Sequence, residues 1–467
     1  MEQLPSARGF PTGFRWGVAT SAPQIEGAAD RRGASIWDAF AAQPGKVHGG
    51  DDLSVACDHV NRYRDDVALM RDLGIQAYRF SVAWPRVEPG ASGVFSSTGL
   101  DFYDSLVDEL LAAGIDPVVT LYHWDLPLEL DSIGGWTSRD VAHRFADYAM
   151  AVHDRLGDRV SMWATLNEPW CAAFLGYAAG VHAPGQTDPA ASVAAVHHLL
   201  LSHGLAVQAL RVGGATDLGI VLNTWPNHAA EGAGPEVLDA VRRIDGLVTR
   251  IFTDPLLTGE YPHDVRNDLA PWLDQVVRGD DLATISVPID WLGVNYYHDD
   301  VFEPATVGVD DGLTCGGWPY PRVEGVRLAP AGPDATDIGW PVTPAGLHHH
   351  LVRLRDLYPN LPPIYVTENG AAYDDPIAPD GTIDDARRLT FLAAHISALA
   401  DAIADGVDVR GYFAWSLLDN FEWAEGYSMR FGIVHVDFET QVRTPRRSAL
   451  WYAEFIRSGA ALDRLVP

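Results

Sequence analysis

Short apolar segments alternate with amphipathic helical patterns along this chain, and that alternation predicts its fold. Each segment is rich in Val, Ile, Tyr, Phe and Trp and ends in polar or aromatic residues, which is typical of a buried strand. Eight such segments lie at residues 14–20, 76–83, 116–123, 160–167, 218–224, 290–297, 363–369 and 409–417. Eight strands that alternate with helices predict an α/β protein, a closed parallel (β/α)8 barrel of the TIM-barrel type.

Amphipathic patterns at 58–73, 100–113 and 138–156 predict three of the intervening helices. Each pattern is followed by a glycine, the residue favoured in the left-handed position that often ends a helix. These glycines are Gly74, Gly114 and Gly157.

We expect the whole chain, 1–467, to form a single barrel domain with inserted loops at the C-terminal face of the barrel. The longest interval between predicted strands, 298–362, is rich in Gly, Pro and Asp. We expect this interval to be a loop-rich insertion that forms part of the active-site rim. An open doubly wound sheet is the alternative, but the first predicted strand lacks the Gly-rich fingerprint that such sheets usually carry.

The charge of the chain excludes several classes of function. Among its 467 residues, 63 acidic residues face 33 basic ones, which gives a net charge of −30. This charge would repel a phosphate backbone, so we expect neither nucleic acid nor an anionic membrane as a partner. Lys46 is the single lysine, so a phosphate-binding P-loop is absent and a lysine Schiff base is disfavoured.

The cysteines and histidines predict neither a disulfide framework nor a metal site. Cys57, Cys171 and Cys315 lie far apart, and Cys171 is best interpreted as a small buried thiol. The adjacent histidines at 197–198 and 348–350 would point in different directions on a helix and could not share one ion well. The N-terminal residues lack a signal-peptide pattern, and no segment reads as long and apolar enough to span a bilayer. We therefore expect a cytoplasmic protein without a cofactor.

The residues at the ends of the predicted strands point to carbohydrate chemistry. They are carboxylates, amides, one histidine and indoles, which suit the hydroxyls and the apolar C–H faces of a sugar. Glu168 and Glu368 end the fourth and seventh segments. Because catalytic side chains lie at the C-terminal ends of barrel strands, these two glutamates are candidates for the carboxyl pair that cleaves a glycosidic bond.

Four ordered motifs resemble the family 1 glycoside hydrolases, the β-glucosidase family. They are FRWGVATSAPQIEG at 14–27, YRFSVAWPR at 78–86, TLNEP at 165–169 and IYVTENG at 364–370. The likeness extends from about residue 10 to about residue 456. It implies a retaining β-glycosidase, most simply a β-glucosidase that hydrolyses terminal non-reducing β-D-glucosyl residues.

The resemblance also implies roles for individual residues. Glu368 would be the nucleophile and Glu168 the general acid and base, with their carboxyl groups about 5–5.5 Å apart. Asn167 would hold the sugar 2-hydroxyl, while Arg79 and Tyr297 would position Glu368. The sugar hydroxyls would be held by Gln24, His123, Trp124, Asn167, Glu422 and Trp423, above a floor formed by Trp415. Asn295 and Phe431 complete the sugar-binding set, and the candidates for the aglycone side are Trp170, His182, Asn223 and Trp340.

Three departures from the family pattern and several alternatives accompany this interpretation. One departure is the insertion between Tyr297 and Pro363, which no family motif anchors. Pro23 and His298 stand where the family usually has other residues, and His298 is interpreted as a rim or supporting residue. An intact Glu168 argues against the thioglucosidase branch, and Glu422 argues against the 6-phosphosugar branch. A non-catalytic sugar-binding protein and a metal-dependent barrel hydrolase are the competing functions. The preferred sugar, whether glucose, galactose or fucose, the extent of transglycosylation and the oligomeric state stay open.

Overall fold

A closed barrel of eight parallel strands forms the centre of the computed structural model, which describes residues 9–306 and 317–461. The strands are β1 Arg15–Ala19, β2 Ala77–Ser81, β3 Asp116–Tyr122, β4 Met162–Asn167, β5 Leu218–Asn223, β6 Trp291–Asn295, β7 Ile364–Asn369 and β8 Val409–Trp415. Each strand pairs with the next along the chain, and β8 pairs with β1 to close the ring. The predicted fold is therefore confirmed, and each predicted strand lies within two residues of the observed one.

Helices surround the barrel and fill the connections between its strands. The α-helices are Ala22–Ile25, Ile36–Ala41, His59–Leu73, Trp84–Val87, Ser97–Ala112, Leu128–Asp131, Arg139–Leu156, Pro189–Val212, Pro235–Asp245, Ile251–Thr258, His263–Val276, Asp281–Ile285, Pro344–Leu357, Ala386–Ala404 and Arg447–Arg457. Two π-helical segments lie at Cys171–Ala179 and Gly246–Arg250. Short 3-10 turns lie at Ala29–Arg31, His48–Gly50, Gly135–Thr137 and Trp423–Glu425.

The interval 298–362 contains more regular structure than its composition predicted. Strands Asp300–Pro304 and Val326–Leu328 join Asn227–Ala229 in a small three-stranded sheet beside the barrel. Helix Pro344–Leu357 then fills the connection between β6 and β7, so the last third of the interval belongs to the barrel framework. A second short pair, Val434–Val436 with Arg443–Pro445, follows β8.

Two of the three predicted glycine caps are confirmed and one is wrong. Gly74 and Gly114 both have φ of +74°, the left-handed conformation that ends a helix. Gly157 has φ of −66° and continues the right-handed turn. A Cβ atom at Gly157 would lie 2.5 Å from Nε2 of His153 and 2.7 Å from its carbonyl oxygen, so close packing, not backbone handedness, requires glycine at this position.

One helix among the described residues corrects the expectation about membrane segments. Helix Pro189–Val212 is long and apolar enough to cross a membrane by length and composition alone, and 78% of its apolar window is buried inside the protein. Its Ala and Leu residues pack against the neighbouring helices of the barrel. The predictions for residues 1–8 and for Cys315 fall outside the described residues.

The paired histidines have protein partners. His197 contacts the Tyr261 hydroxyl and the Asp281 carboxylate, and His198 contacts the carbonyl oxygen of Trp136. No group of three potential metal ligands occurs within residues 9–306 and 317–461.

Candidate active site

A pocket of about 590 Å³ lies at the carboxyl ends of the barrel strands. Most of the predicted site residues line it: His123, Trp124, Glu168, Trp170, His182, Asn223, Asn295, Tyr297, Trp340, Glu368, Trp415, Glu422, Trp423 and Phe431. Gln24, Arg79 and Asn167 are fully buried and hydrogen-bond to residues of the pocket wall. The structure therefore brings together residues as far apart in the sequence as Gln24 and Phe431.

Glu368 is held by two donors at the end of β7. The Arg79 guanidinium donates to its Oε1 at 2.7 Å, and the Tyr297 hydroxyl donates to its Oε2 at 2.7 Å. Arg79 and Glu368 are both almost completely buried, so their ion pair is shielded from solvent. Both donors favour the ionised carboxylate, which is the form that a nucleophile requires.

Glu168 follows β4 in an unusual backbone conformation. Its φ is +47°, which is uncommon for a residue other than glycine, and its N–H donates to the carbonyl oxygen of Val221 at 2.9 Å. Asn295 Nδ2 donates to Oε1 of Glu168 at 2.7 Å, and the hydroxyl of Thr367 donates to Oδ1 of Asn295. The Thr367 contact fixes the amide of Asn295 so that its NH2 group faces Glu168.

Asn167 connects the surroundings of the two glutamates. Its Oδ1 accepts from Arg79 at 2.7 Å and from Asn295 at 3.1 Å, and these two donors also hold Glu368 and Glu168, respectively. Its Nδ2 donates to Nε2 of His123 at 3.0 Å. A single buried amide therefore sets the orientation of both carboxyl environments.

Burial raises the pKa of both carboxyl groups, but their neighbours treat the two differently. Burial, together with the nearby Glu368 carboxylate, raises the pKa of Glu168 to about 8. Burial also raises the pKa of Glu368, but Arg79 and Tyr297 oppose that shift by stabilising the carboxylate. Glu368 therefore ionises first, and Glu168 keeps its proton near neutral pH.

Aromatic rings surround one part of the pocket. Trp124 and Trp423 lie with their ring centroids 4.4 Å apart, and the His123 ring stacks 5.9 Å from both Trp415 and Trp423. His182 packs against Trp124 and Trp423 at 5.4 and 6.5 Å, so the structure groups it with residues predicted for the sugar side. Flat apolar surfaces of this kind suit the C–H faces of a pyranose ring.

Glu422 adds a third carboxyl group to the pocket. Burial and the proximity of Glu368 and Glu168 raise its pKa well above the usual range. Gln24 donates to Oε2 of Glu422 at 3.4 Å and to the carbonyl oxygen of Phe421 at 2.9 Å. Gln24 is fully buried behind the pocket wall, so Glu422 is the member of this pair that lines the pocket, where its carboxyl group would find sugar hydroxyls as partners.

Aromatic and aliphatic side chains line the part of the pocket near Trp170. The Trp170 ring contacts Trp225 at 5.1 Å and Tyr320 at 6.1 Å. Leu175 and Leu328 lie in the same lining. On the other side, Trp340 contacts Tyr297 at 5.3 Å and His298 at 4.9 Å.

Sequence reasoning missed several residues of this lining. Trp225 is one of the indoles at the strand ends, two positions after β5, but the sequence assigns it no individual role. Tyr320 and Arg327 come from the interval 298–362, whose sequence carries no period that would place them. Cys171 lines the pocket beside Glu168, and no pattern around a single cysteine predicts such a contact.

Comparison with known proteins agrees with this geometry. The family model described as Glycosyl hydrolase family 1 matches residues 6–460. The chain is 50% identical to the thermostable beta-glucosidase B of Thermobispora bispora, over 96% of this chain and 90% of that protein. It is 43% identical to the bifunctional beta-D-glucosidase/beta-D-fucosidase of Bifidobacterium breve, over 97% and 99% of the two chains.

A solved structure shows the same architecture. The crystal structure of the psychrophilic beta-glucosidase BglU from Micrococcus antarcticus superposes with a TM-score of 0.94 at 49% identity, covering 96% of this chain and 97% of that one. The family match, the relatives and the fold agree over nearly the whole chain. The chain belongs to glycosyl hydrolase family 1.

Proposed function

We propose that this protein is a retaining β-glucosidase that hydrolyses terminal non-reducing β-D-glucosyl residues of small glycosides. One observation carries the proposal: the pocket holds two buried glutamates with opposite environments. Arg79 and Tyr297 stabilise the carboxylate of Glu368, whereas burial and charge repulsion keep Glu168 protonated. A double displacement at a glycosidic bond requires one ionised and one protonated carboxyl group.

The reaction would proceed in two steps. Glu368 attacks the anomeric carbon while Glu168 protonates the leaving oxygen, which gives a glycosyl-enzyme ester and the free aglycone. Esterification removes the negative charge of Glu368, so the pKa of Glu168 falls and its carboxylate can accept a proton from water. That water attacks the anomeric carbon, the ester bond breaks to restore the Glu368 carboxylate, and the sugar leaves with its β configuration retained. A separation of about 5–5.5 Å between the carboxyl groups stays a prediction of this mechanism.

The remaining site residues would divide between sugar and aglycone. Asn167 would hold the 2-hydroxyl, and the other hydroxyls and the ring faces would contact Gln24, His123, Trp124, Asn295, Trp415, Glu422, Trp423 and Phe431. The acid proton is delivered to the leaving oxygen, so residues beside Glu168 would contact the aglycone. Trp170, Asn223 and Trp340 fit that assignment by position, and the packing of His182 favours the sugar side for that residue.

Broader sugar tolerance and further properties belong to the same proposal. The similarity to a bifunctional glucosidase and fucosidase supports activity on β-fucosides, and β-galactosides are a second candidate. Transglycosylation would follow wherever a sugar hydroxyl replaces water in the second step. We also propose one barrel domain over 1–467 and a cytoplasmic location, for which the buried free thiols of Cys57 and Cys171 are the supporting observation.

Turnover of nitrophenyl β-glucoside tests the central proposal. The wild-type enzyme should hydrolyse it, Glu368→Ala should lose nearly all activity, and a 2-fluoro glucosyl fluoride should label Glu368. Glu109→Ala, at a partly exposed helix position away from the pocket, is the matched control and should keep wild-type turnover. Full turnover by Glu368→Ala would refute the nucleophile role. Binding without turnover by the wild type would favour a sugar-binding protein, and loss of activity with a chelator would favour a metal-dependent hydrolase.

A further inference from the structure

The thiol of Cys171 lies next to the acid/base carboxyl. Its Sγ is 3.5 Å from Oε2 of Glu168, and the residue is 7% exposed. The carbonyl oxygen of Glu168 accepts from the N–H of Cys171, so the two residues form one tight turn at the start of the π-helical segment. The turn places the thiol next to the glutamate side chain.

The direction of the hydrogen bonds around this sulfur is fixed. Asn223 Nδ2 lies 3.3 Å from Sγ and can only donate, so the sulfur accepts on that side. The single hydrogen of the thiol is then free to point at Oε2 of Glu168. When Glu168 is ionised, the result is a chain of donors that runs from Asn223 through Cys171 to Glu168.

The same carboxyl oxygen carries the proton that the reaction transfers. The other oxygen of Glu168, Oε1, accepts from Asn295, whose amide is held with its NH2 group toward Glu168 by Thr367. Since an NH2 group cannot accept a hydrogen bond, the acid proton of Glu168 is placed on Oε2. Cys171 therefore contacts the oxygen that first donates and later regains the proton.

We propose that Cys171 is a positioning residue for the acid/base step, whose S–H donates to Oε2 of Glu168 when that carboxyl is ionised. A thiol is a weak donor, so it stabilises the carboxylate without holding Oε2 away from the leaving group or the attacking water. This role rests on the proposed β-glucosidase function. The buried, apolar setting of Cys171 alone would not indicate a role in the reaction.

The pH dependence of kcat/KM for nitrophenyl β-glucoside tests this role. Its alkaline limb reports the loss of the acid proton of Glu168. Removing the donor in Cys171→Ala should destabilise the carboxylate and move that limb up by about half a pH unit. Cys171→Ser keeps a donor and should return the limb to the wild-type position or below it.

A second cysteine supplies the matched control. Cys57 is also a buried free thiol, but its Sγ donates to the carbonyl oxygen of Asp419 at 3.0 Å, so Cys57→Ala should leave the alkaline limb in place. Melting curves of all three variants would identify a fold defect separately from a change in the limb. The role of Cys171 would be overturned if Cys171→Ala and Cys171→Ser shift the limb equally or not at all. A wild-type enzyme without any turnover would instead refute the proposed function.

Discussion

The hydroxyl of Tyr297 donates a 2.7 Å hydrogen bond to Oε2 of Glu368. Tyr297 lies two residues after β6 and Glu368 near the end of β7, so the contact joins neighbouring strands of the barrel. The other carboxyl oxygen accepts from Arg79 on β2. Residues from three strands therefore set the orientation and the charge of a single carboxyl group.

Tyr297→Phe should weaken catalysis while keeping the aromatic ring in the pocket lining. Loss of a hydrogen bond to a charged group should lower kcat/KM for nitrophenyl β-glucoside by roughly 10- to 100-fold. Since the hydroxyl stabilises the carboxylate, its loss should raise the pKa of Glu368 and move the acidic limb of the pH profile to higher pH. Tyr452→Phe is the control, because that buried hydroxyl donates to the carbonyl oxygen of Gly17 outside the site. An acidic limb that does not move in Tyr297→Phe would contradict this account.

Glu168→Gln should be more stable than the wild type, by a difference that grows as pH rises. The folded-state pKa of Glu168 is raised to about 8, above the usual value for an exposed carboxyl. The folded state then keeps a proton that the unfolded state has lost, so its stabilising contribution is complete at acidic pH and disappears as pH rises through about 8.

Glutamine has no titratable proton, so Glu168→Gln lacks the loss of stability that the wild type undergoes as pH rises. The melting temperature of Glu168→Gln should exceed that of the wild type by a difference that grows between pH 5 and pH 8, reaching roughly 1–3 °C in a chain of this size. Scanning calorimetry at one heating rate would measure it, with Glu109→Gln as a partly exposed control away from the pocket. A difference that is constant across this pH range would show that the carboxyl carries no unusual protonation.

The predictable parts of this site are those that follow from the barrel itself. Glu168 and Glu368 could be predicted because each ends an apolar strand, and the closed ring then requires those ends to meet. The contact of Cys171 could not be predicted, because it depends on the turn that joins Glu168 to the π-helical segment, which no simple sequence pattern encodes. The prediction for Gly157 is wrong for a similar reason, because a helix-ending glycine and a glycine packed against His153 look alike in sequence.

The interval 298–362 shows a different limit. Its Gly, Pro and Asp content predicts loops, yet it contains helix Pro344–Leu357, which begins with a proline and includes three consecutive histidines. His350 of this helix is buried and contacts the Thr224 hydroxyl at 2.8 Å. Tertiary packing places this helix against the barrel, so local composition was a poor guide to it.

Aryl β-glucosides should be better substrates than cellobiose. The surface around Trp170, Trp225 and Tyr320 is aromatic. A second glucose would bring several hydroxyls to this surface, whereas an aromatic ring needs few partners. We expect kcat/KM to favour nitrophenyl β-glucoside by at least about 10-fold.

Nitrophenol is a more reactive leaving group than glucose, so that comparison must be separated from the effect of aglycone binding. Octyl β-glucoside has an alkyl leaving group no more reactive than that of cellobiose, so it should still be hydrolysed with a higher kcat/KM than cellobiose. Trp170→Ala should reduce the difference in kcat/KM between octyl β-glucoside and cellobiose, because it raises the KM of the apolar glycosides. Equal kcat/KM for octyl β-glucoside and cellobiose would show that the aglycone surface is not selective for apolar groups.

The net charge of −30 should have little effect on neutral substrates. A neutral glycoside has no net charge for this field to attract or repel, and ions at 0.1 M screen exposed charges beyond about 10 Å. We expect kcat/KM for nitrophenyl β-glucoside to change by less than about two-fold between 0.01 and 0.5 M salt. A protonated iminosugar inhibitor is the positive control, because the acidic protein attracts it and its binding should weaken with salt. A steep salt dependence with the neutral substrate would mean that the surface charge alters the carboxyl groups in the pocket itself.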